Sequence, residues 1–141
     1  MERCDSVAAA SIRTRESLRD VEQQITDLTL LGKQIDTYRE LKPVYDRYKA
    51  SKDKEKFLRG FESEVILFEA AAREIKKAGL TTLPSAEKLK AELGGLSARK
   101  TALQTELRKI QRTEKEYDTI QQNVNSLLKK LKEKENDIEL T

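Results

Sequence analysis

From Leu89 to Leu131 the chain repeats a spacing of four and three residues: Leu89, Leu93, Leu96, Lys100, Leu103, Leu107, Ile110, Glu114, Tyr117, Gln121, Val124, Leu128 and Leu131. Steps of four and three place one residue per half-heptad on a single stripe of an α-helix, and such a stripe leaves water only by meeting another helix. The pattern predicts an elongated, all-α coiled-coil structure. The first forty residues carry a second, near-heptad series at Val7, Ala10, Leu18, Val21, Ile25, Leu28, Leu31, Ile35 and Tyr38. One chain therefore supplies both seams.

Composition agrees with long helices around a thin core. Of 141 residues 37% are hydrophobic and 38% charged, there is no tryptophan, and the mean hydropathy is -0.73. The apolar residues stand in register, which separates this composition from that of a disordered chain. Basic and acidic residues number 28 and 25 and are finely mixed, so the net charge of +3 is a weak footprint for nucleic acid. The single cysteine, Cys4, permits no internal disulfide. No run of about twenty apolar residues is present to span a membrane and no signal-peptide pattern precedes the helices, so a cytoplasmic chain, entire or part of a longer polypeptide, is expected.

Punctuation falls mainly between the two seams. Pro43 lacks an amide hydrogen and is expected to end or kink the first helix, leaving Val44 to Ala50 as a short amphipathic piece with Tyr45 and Tyr48. Ser51 or Asp53 caps a second helix that runs to about Ala78, with all three phenylalanines on its apolar side: Phe57, Phe61, Val65, Phe68, Ala72 and Ile75. Gly79 suits the left-handed position after that helix, and Ser85 caps a third that continues to about Lys134 with Gly94-Gly95 as its weak spot. The expected architecture is a single helical domain over 1–141. It is an antiparallel coiled-coil hairpin stalk, 6–41 with 97–134, closed by a small helical head over 42–96. Facing residues then have numbers totalling about 138, such as Ile35 with Leu103, Leu28 with Ile110 and Val21 with Tyr117, and the polar positions Glu114 and Gln121 meet Gln24 and Ser17. Phe57, Phe61, Val65, Phe68 and Ile75 form the head core.

The sequence contains no histidine, which removes the commonest general base, the commonest zinc ligand and every Ser-His or Cys-His pair. No phosphate-binding glycine loop is present. Glu62, Glu64, Glu69 and Glu74 read as a solvated helix face rather than a metal site, and the four tyrosines as amphipathic packing residues rather than nucleophiles. No enzyme activity, cofactor or metal is expected. The densest positive stretch, Lys49, Lys52, Lys54, Lys56 and Arg59, is the candidate contact for DNA or a partner, though Asp53 and Glu55 interrupt it.

The stretch Leu41 to Gly79, LKPVYDRYKASKDKEKFLRGFESEVILFEAAAREIKKAG, resembles a segment in the carboxy-terminal region of relaxases, the mobilisation nucleases of conjugative and mobilisable elements in Gram-positive bacteria. The similarity extends through Leu83 to Leu89, Leu96 to Leu107 and Glu116 to Val124, and so covers about Ile35 to Val124. In that family an amino-terminal domain carries a nucleophilic tyrosine and a histidine-bound metal, and none of those motifs matches here. The resemblance therefore implies the non-catalytic tail, or a stand-alone relative of it, with no catalytic residue carried over. It implies a protein partner in a relaxosome or transfer apparatus, weak auxiliary DNA contact, and room for a homodimer. The alternative is a structural coiled-coil spacer or self-assembly protein unrelated to mobilisation.

Overall fold

The computed structural model describes the backbone of residues 2–139 and the side chains of residues 6–137; Cys4 lies outside the described side chains. The described residues form three α-helices and no strand: α1 Glu2–Ala50, α2 Lys54–Lys77 and α3 Ala86–Glu139, of 49, 24 and 54 residues. The chain divides into two compact units, Val21–Ala98 and Met1–Asp20 with Arg99–Thr141. Helices α1 and α3 run through both units, whereas α2 lies wholly within the first.

In the Val21–Ala98 unit, α1 does not stop at Pro43. It continues to Ala50, so Val44 to Ala50 is the last part of α1 and not a separate piece. Proline inside a helix costs about 3 kcal/mol through its lost hydrogen bond and ring clash. The turns beyond Pro43 are held by their side chains, because Tyr45 stacks on Phe68 at 4.3 Å and Tyr48 lies 6.0 Å from Phe57. Pro43 itself is exposed, where water can serve the carbonyl it leaves unpaired.

A three-residue turn then reverses the chain. The Ser51 amide donates to the Tyr48 carbonyl, and the Ser51 hydroxyl donates to the Asp53 carbonyl at 3.1 Å. Of the two candidate caps it is Asp53 that serves α2: its Oδ1 accepts the Lys56 amide at 3.1 Å. This satisfies one of the orphan donors of the first turn, and the carboxylate is favoured by the helix dipole. The helix bends at Phe61, whose φ of −134° and ψ of 21° leave the helical range. Beyond the bend the buried positions are Val65, Phe68, Ala71 and Ile75. Ala71 is fully buried and Ala72 only half-buried, so the stripe turns slightly from the simple spacing.

Helix α2 ends as its residues dictate. The Ala78 amide donates to the Glu74 carbonyl, the Gly79 amide to the Lys76 carbonyl, and Gly79 takes φ of 74°, which a side chain would strain. Leu80 and Leu83 fold back onto the core, and the Arg39 guanidinium donates to the Pro84 carbonyl at 2.6 Å. Ser85 caps α3, its hydroxyl oxygen accepting the Lys88 amide at 3.1 Å. Gly94 and Gly95 lie inside α3 without breaking it.

The centre of this unit is Ile35, which has no exposed surface. It is grouped with Ile75 and Leu89, and Leu28, Leu31, Tyr38, Leu80 and Leu83 pack around them. Ile35 thus meets Leu89, and Leu28 shares a shallow groove with Leu96. Both pairs total 124, two heptads below the expected value. Leu89 is buried and Leu93 and Leu96 are half-buried, so the seam of α3 begins within its first turns, as its spacing predicts.

In the other unit, α1 and α3 meet through smaller residues. Ser11 and Thr14 are buried, and Val7, Ala9 and Ala10 half-buried. On α3, Leu103, Leu107, Ile110, Glu114 and Tyr117 are half-buried, and Val7 and Ala8 line a cleft with Glu114, Tyr117 and Asp118. Val7 with Tyr117 again totals 124. After Tyr117 every described residue of α3 is exposed.

Candidate interaction surface

The turn between α1 and α2 is held by an aromatic ladder. Phe68, 4% exposed, is sandwiched between Tyr38 at 4.7 Å and Tyr45 at 4.3 Å, the two tyrosines standing two turns apart on α1. Tyr45 lies 6.0 Å from Tyr48, Tyr48 lies 6.0 Å from Phe57, and Phe57 stacks on Phe61 at 4.8 Å. Offset ring pairs of this kind add roughly 0.5–1.5 kcal/mol each beyond the area they bury. The ladder explains why α1 extends past a proline and why α2 bends where it does. At the bend, the Phe61 ring stays against Phe57.

Two cations lie on the ladder. The Arg47 guanidinium sits over Phe57 at 5.8 Å and over Phe61 at 5.2 Å, and the Lys49 ammonium over Tyr45 at 5.4 Å. Such contacts are worth about 0.5–1 kcal/mol when exposed, and they cover the ring faces that α2 leaves open. Lys49, Lys52, Lys54, Lys56 and Arg59 are all exposed, on the end of α1, the turn and the start of α2. Asp53 and Glu55 lie among them, also exposed, and Asp53 is engaged in capping. The cluster is therefore a rim of exposed cations beside a stacked aromatic framework. It can offer positive charges to phosphates or carboxylates.

Of the head residues, Val65, Phe68 and Ile75 are buried, and Phe57 and Phe61 half-buried under the Arg47 guanidinium. Arg47 and Ala71 belong to the arrangement although periodicity alone does not single them out. Arg47 and Phe57 stand at equal distances on either side of Lys52, so a tight reversal centred on the turn was the signal that could have paired them. Glu62 and Glu69 are exposed and Glu64 half-buried, while Glu74 pairs with Lys77 at 3.3 Å. Among the described residues no three His, Cys, Asp or Glu side chains converge as metal ligands, and no helix is long and apolar enough to cross a membrane.

Two further apolar surfaces are open. Ile66 and Leu67 lie exposed on the outer side of α2, and Ile120, Val124, Leu127, Leu128 and Leu131 on α3. No protein-family model, curated protein or solved structure matches this chain.

Proposed function

We propose that the chain is a non-catalytic interaction module, the carboxy-terminal tail of a conjugative relaxase or a relative of that tail, which docks onto a protein of the relaxosome or transfer apparatus in the cytoplasm. The observation that carries the interaction reading is the α1–α2 turn. An aromatic ladder with Arg47 and Lys49 laid on it holds the backbone, while Lys52, Lys54, Lys56 and Arg59 are exposed beside it, open to a partner. The relaxase assignment rests on the resemblance over Leu41 to Gly79.

In the same proposal α1 and α3 form an antiparallel coiled-coil hairpin that carries the head, with facing residue numbers totalling 124 in place of the expected 138, so that 6–38 face 86–118. Supporting it, each unit taken alone pairs α1 with α3 at residue numbers totalling 124. Cysteine pairs placed at Leu28 with Leu96 and at Val7 with Tyr117, in a Cys4→Ser background, should close within one chain at low concentration. Purely intermolecular products would sink the hairpin.

The functional test is binding of the intact chain to a relaxase nuclease domain and, separately, to duplex DNA across a salt series. Reversing Lys49, Lys52, Lys54, Lys56 and Arg59 to glutamate should abolish the protein interaction and leave helical content unchanged. DNA binding should be weak and fade steeply with salt, since few phosphates can be contacted. Binding to the nuclease domain that survives the charge reversal refutes this surface, and tight salt-insensitive DNA binding refutes a protein as the main partner. A second reading, a self-assembling coiled-coil protein, is favoured by the exposed apolar residues at the end of α3.

A further inference from the structure

The apolar stripe of α3 continues past Tyr117 into residues that are exposed. Within the unit formed by residues 1–20 and 99–141, the seam residues Leu103, Leu107, Ile110 and Tyr117 are half-buried, and Val7 and Ala8 of α1 line a cleft with Tyr117 and Asp118. The four-three phase then continues without a break through Gln121, Val124, Leu128 and Leu131, yet Val124 is 45% exposed, Leu128 59% and Leu131 55%. Ile120 and Leu127 stand beside the seam, widen it, and are equally open. Five large apolar side chains lie on one exposed helical stripe, in phase with the half-buried seam residues before them.

We propose that this segment, Asp118 to Lys134, pairs antiparallel with the same segment of a second copy of the chain. The choice of occupant rests on self-complementarity. When the two copies run in opposite directions with facing numbers totalling about 252, Val124 meets Leu128 of the second copy twice over, and Leu131 meets Gln121 twice at the edges. In that register the residues flanking one side of the seam bring Leu127 against Leu127. Those flanking the other side bring Asp118 against Lys132 of the second copy, again twice by the two-fold axis. The Lys134 stem lies over Ile120, with its ammonium in water. A parallel, in-register pair gives none of this: it sets Glu135 against Glu135 inside the seam and Leu127 against Lys132.

The segment is seventeen residues, roughly 25 Å of helix. That is fewer than the ~20–30 residues a side of a standard interface, which places the pairing in the weak, reversible class with a dissociation constant in the micromolar range. The proposal uses none of the residues of the α1–α2 turn, and so stands or falls separately from the docking reading above.

The test is sedimentation equilibrium of the full chain from about 1 to about 200 µM, which should show a monomer–dimer equilibrium. Leu128→Glu should raise the dissociation constant by about tenfold or more with no change in helical content, because Leu128 is exposed within the single chain. Asp118→Lys and Lys132→Asp should each weaken the dimer, and the double exchange should restore it. In a Cys4→Ser background, Leu127→Cys should oxidise to a covalent dimer, whereas Leu131→Cys should not, since antiparallel pairing holds the two copies of Leu131 far apart. A chain that stays monomeric over the whole range overturns the proposal and assigns the surface to a different protein. Cross-linking through Leu131→Cys but not Leu127→Cys overturns the antiparallel geometry, and a dimer indifferent to Leu128→Glu overturns the surface itself.

Discussion

Replacing Phe68 with alanine removes the one ring that both Tyr38 and Tyr45 stack against, at 4.7 and 4.3 Å, from a site only 4% exposed. Truncating a buried phenylalanine costs about 3–5 kcal/mol through lost transfer energy and the cavity left behind. Collapse around the hole is limited, because the tyrosines are fixed two turns apart on one helix and cannot both move in. For a chain of 141 residues the unfolding entropy gives a slope near 3 °C per kcal/mol, so the melting temperature should fall by about 10–15 °C. Phe68→Leu keeps most of the burial and loses the two ring pairs, which predicts a smaller loss of about 1–3 kcal/mol. Leu131→Ala, at a site 55% exposed, should change stability by about 0.5 kcal/mol or less in the monomer. The assay is thermal unfolding followed by far-ultraviolet circular dichroism at low micromolar protein, where self-association does not contribute. Equal shifts for Phe68→Ala and Leu131→Ala would refute the view that the ladder anchors the fold.

Four smaller perturbations probe the backbone and one buried polar site. Gly94→Ala and Gly95→Ala should each stabilise α3 by about 0.5–1 kcal/mol, since both lie in helix and an added methyl group meets nothing within 4 Å; a drop in melting temperature would show that the glycines serve a hinge. Gly79→Ala should instead cost about 1 kcal/mol, because its φ of 74° admits no side chain without strain, and an unchanged denaturation midpoint would mean that this turn is not formed. Ser11 is 3% exposed and its hydroxyl finds no partner, so Ser11→Ala should raise stability by about 1 kcal/mol in chemical denaturation. A loss at this position would reveal a hydrogen bond that the serine makes in solution.

The features legible in the sequence were those fixed by neighbours a few residues away. Ser85 caps α3 and Gly79 takes the left-handed conformation because each requires only local chemistry. Helical periodicity likewise made the chain all-α, and the phase of the α3 seam holds from Leu89 through Tyr117, where those residues are at least half-buried. Register is a different kind of quantity. A seven-residue repeat looks the same after a slip of fourteen, so heptads cannot distinguish facing totals of 138 from 124, and the matching of polar layers pointed to the wrong one. The deciding information was non-local. Pro43 favours a break by about 3 kcal/mol, and the aromatic contacts between α1 and α2, made across the turn at Ser51 to Asp53, help to offset that cost.

The same distinction explains what was missed at the candidate surface. Lys49, Lys52, Lys54, Lys56 and Arg59 announce themselves as a run of like charge, but Arg47 becomes visible only when α2 folds back and sets Phe57 and Phe61 beneath its guanidinium. That placement makes Arg47 and the exposed lysines unequal in kind. Arg47 is committed to the fold, its plane covering two half-buried rings, whereas the lysine ammonium groups at the turn can move toward an incoming partner. A charge-reversal series should therefore separate them: changes at Lys52 or Lys54 should alter binding alone, while Arg47→Glu should lower stability as well, by about 0.5–1 kcal/mol. If Arg47→Glu proves as silent in unfolding experiments as Lys54→Glu, the guanidinium does not rest on the rings in solution, and the basic rim is a single mobile cluster rather than a fixed framework with a mobile edge.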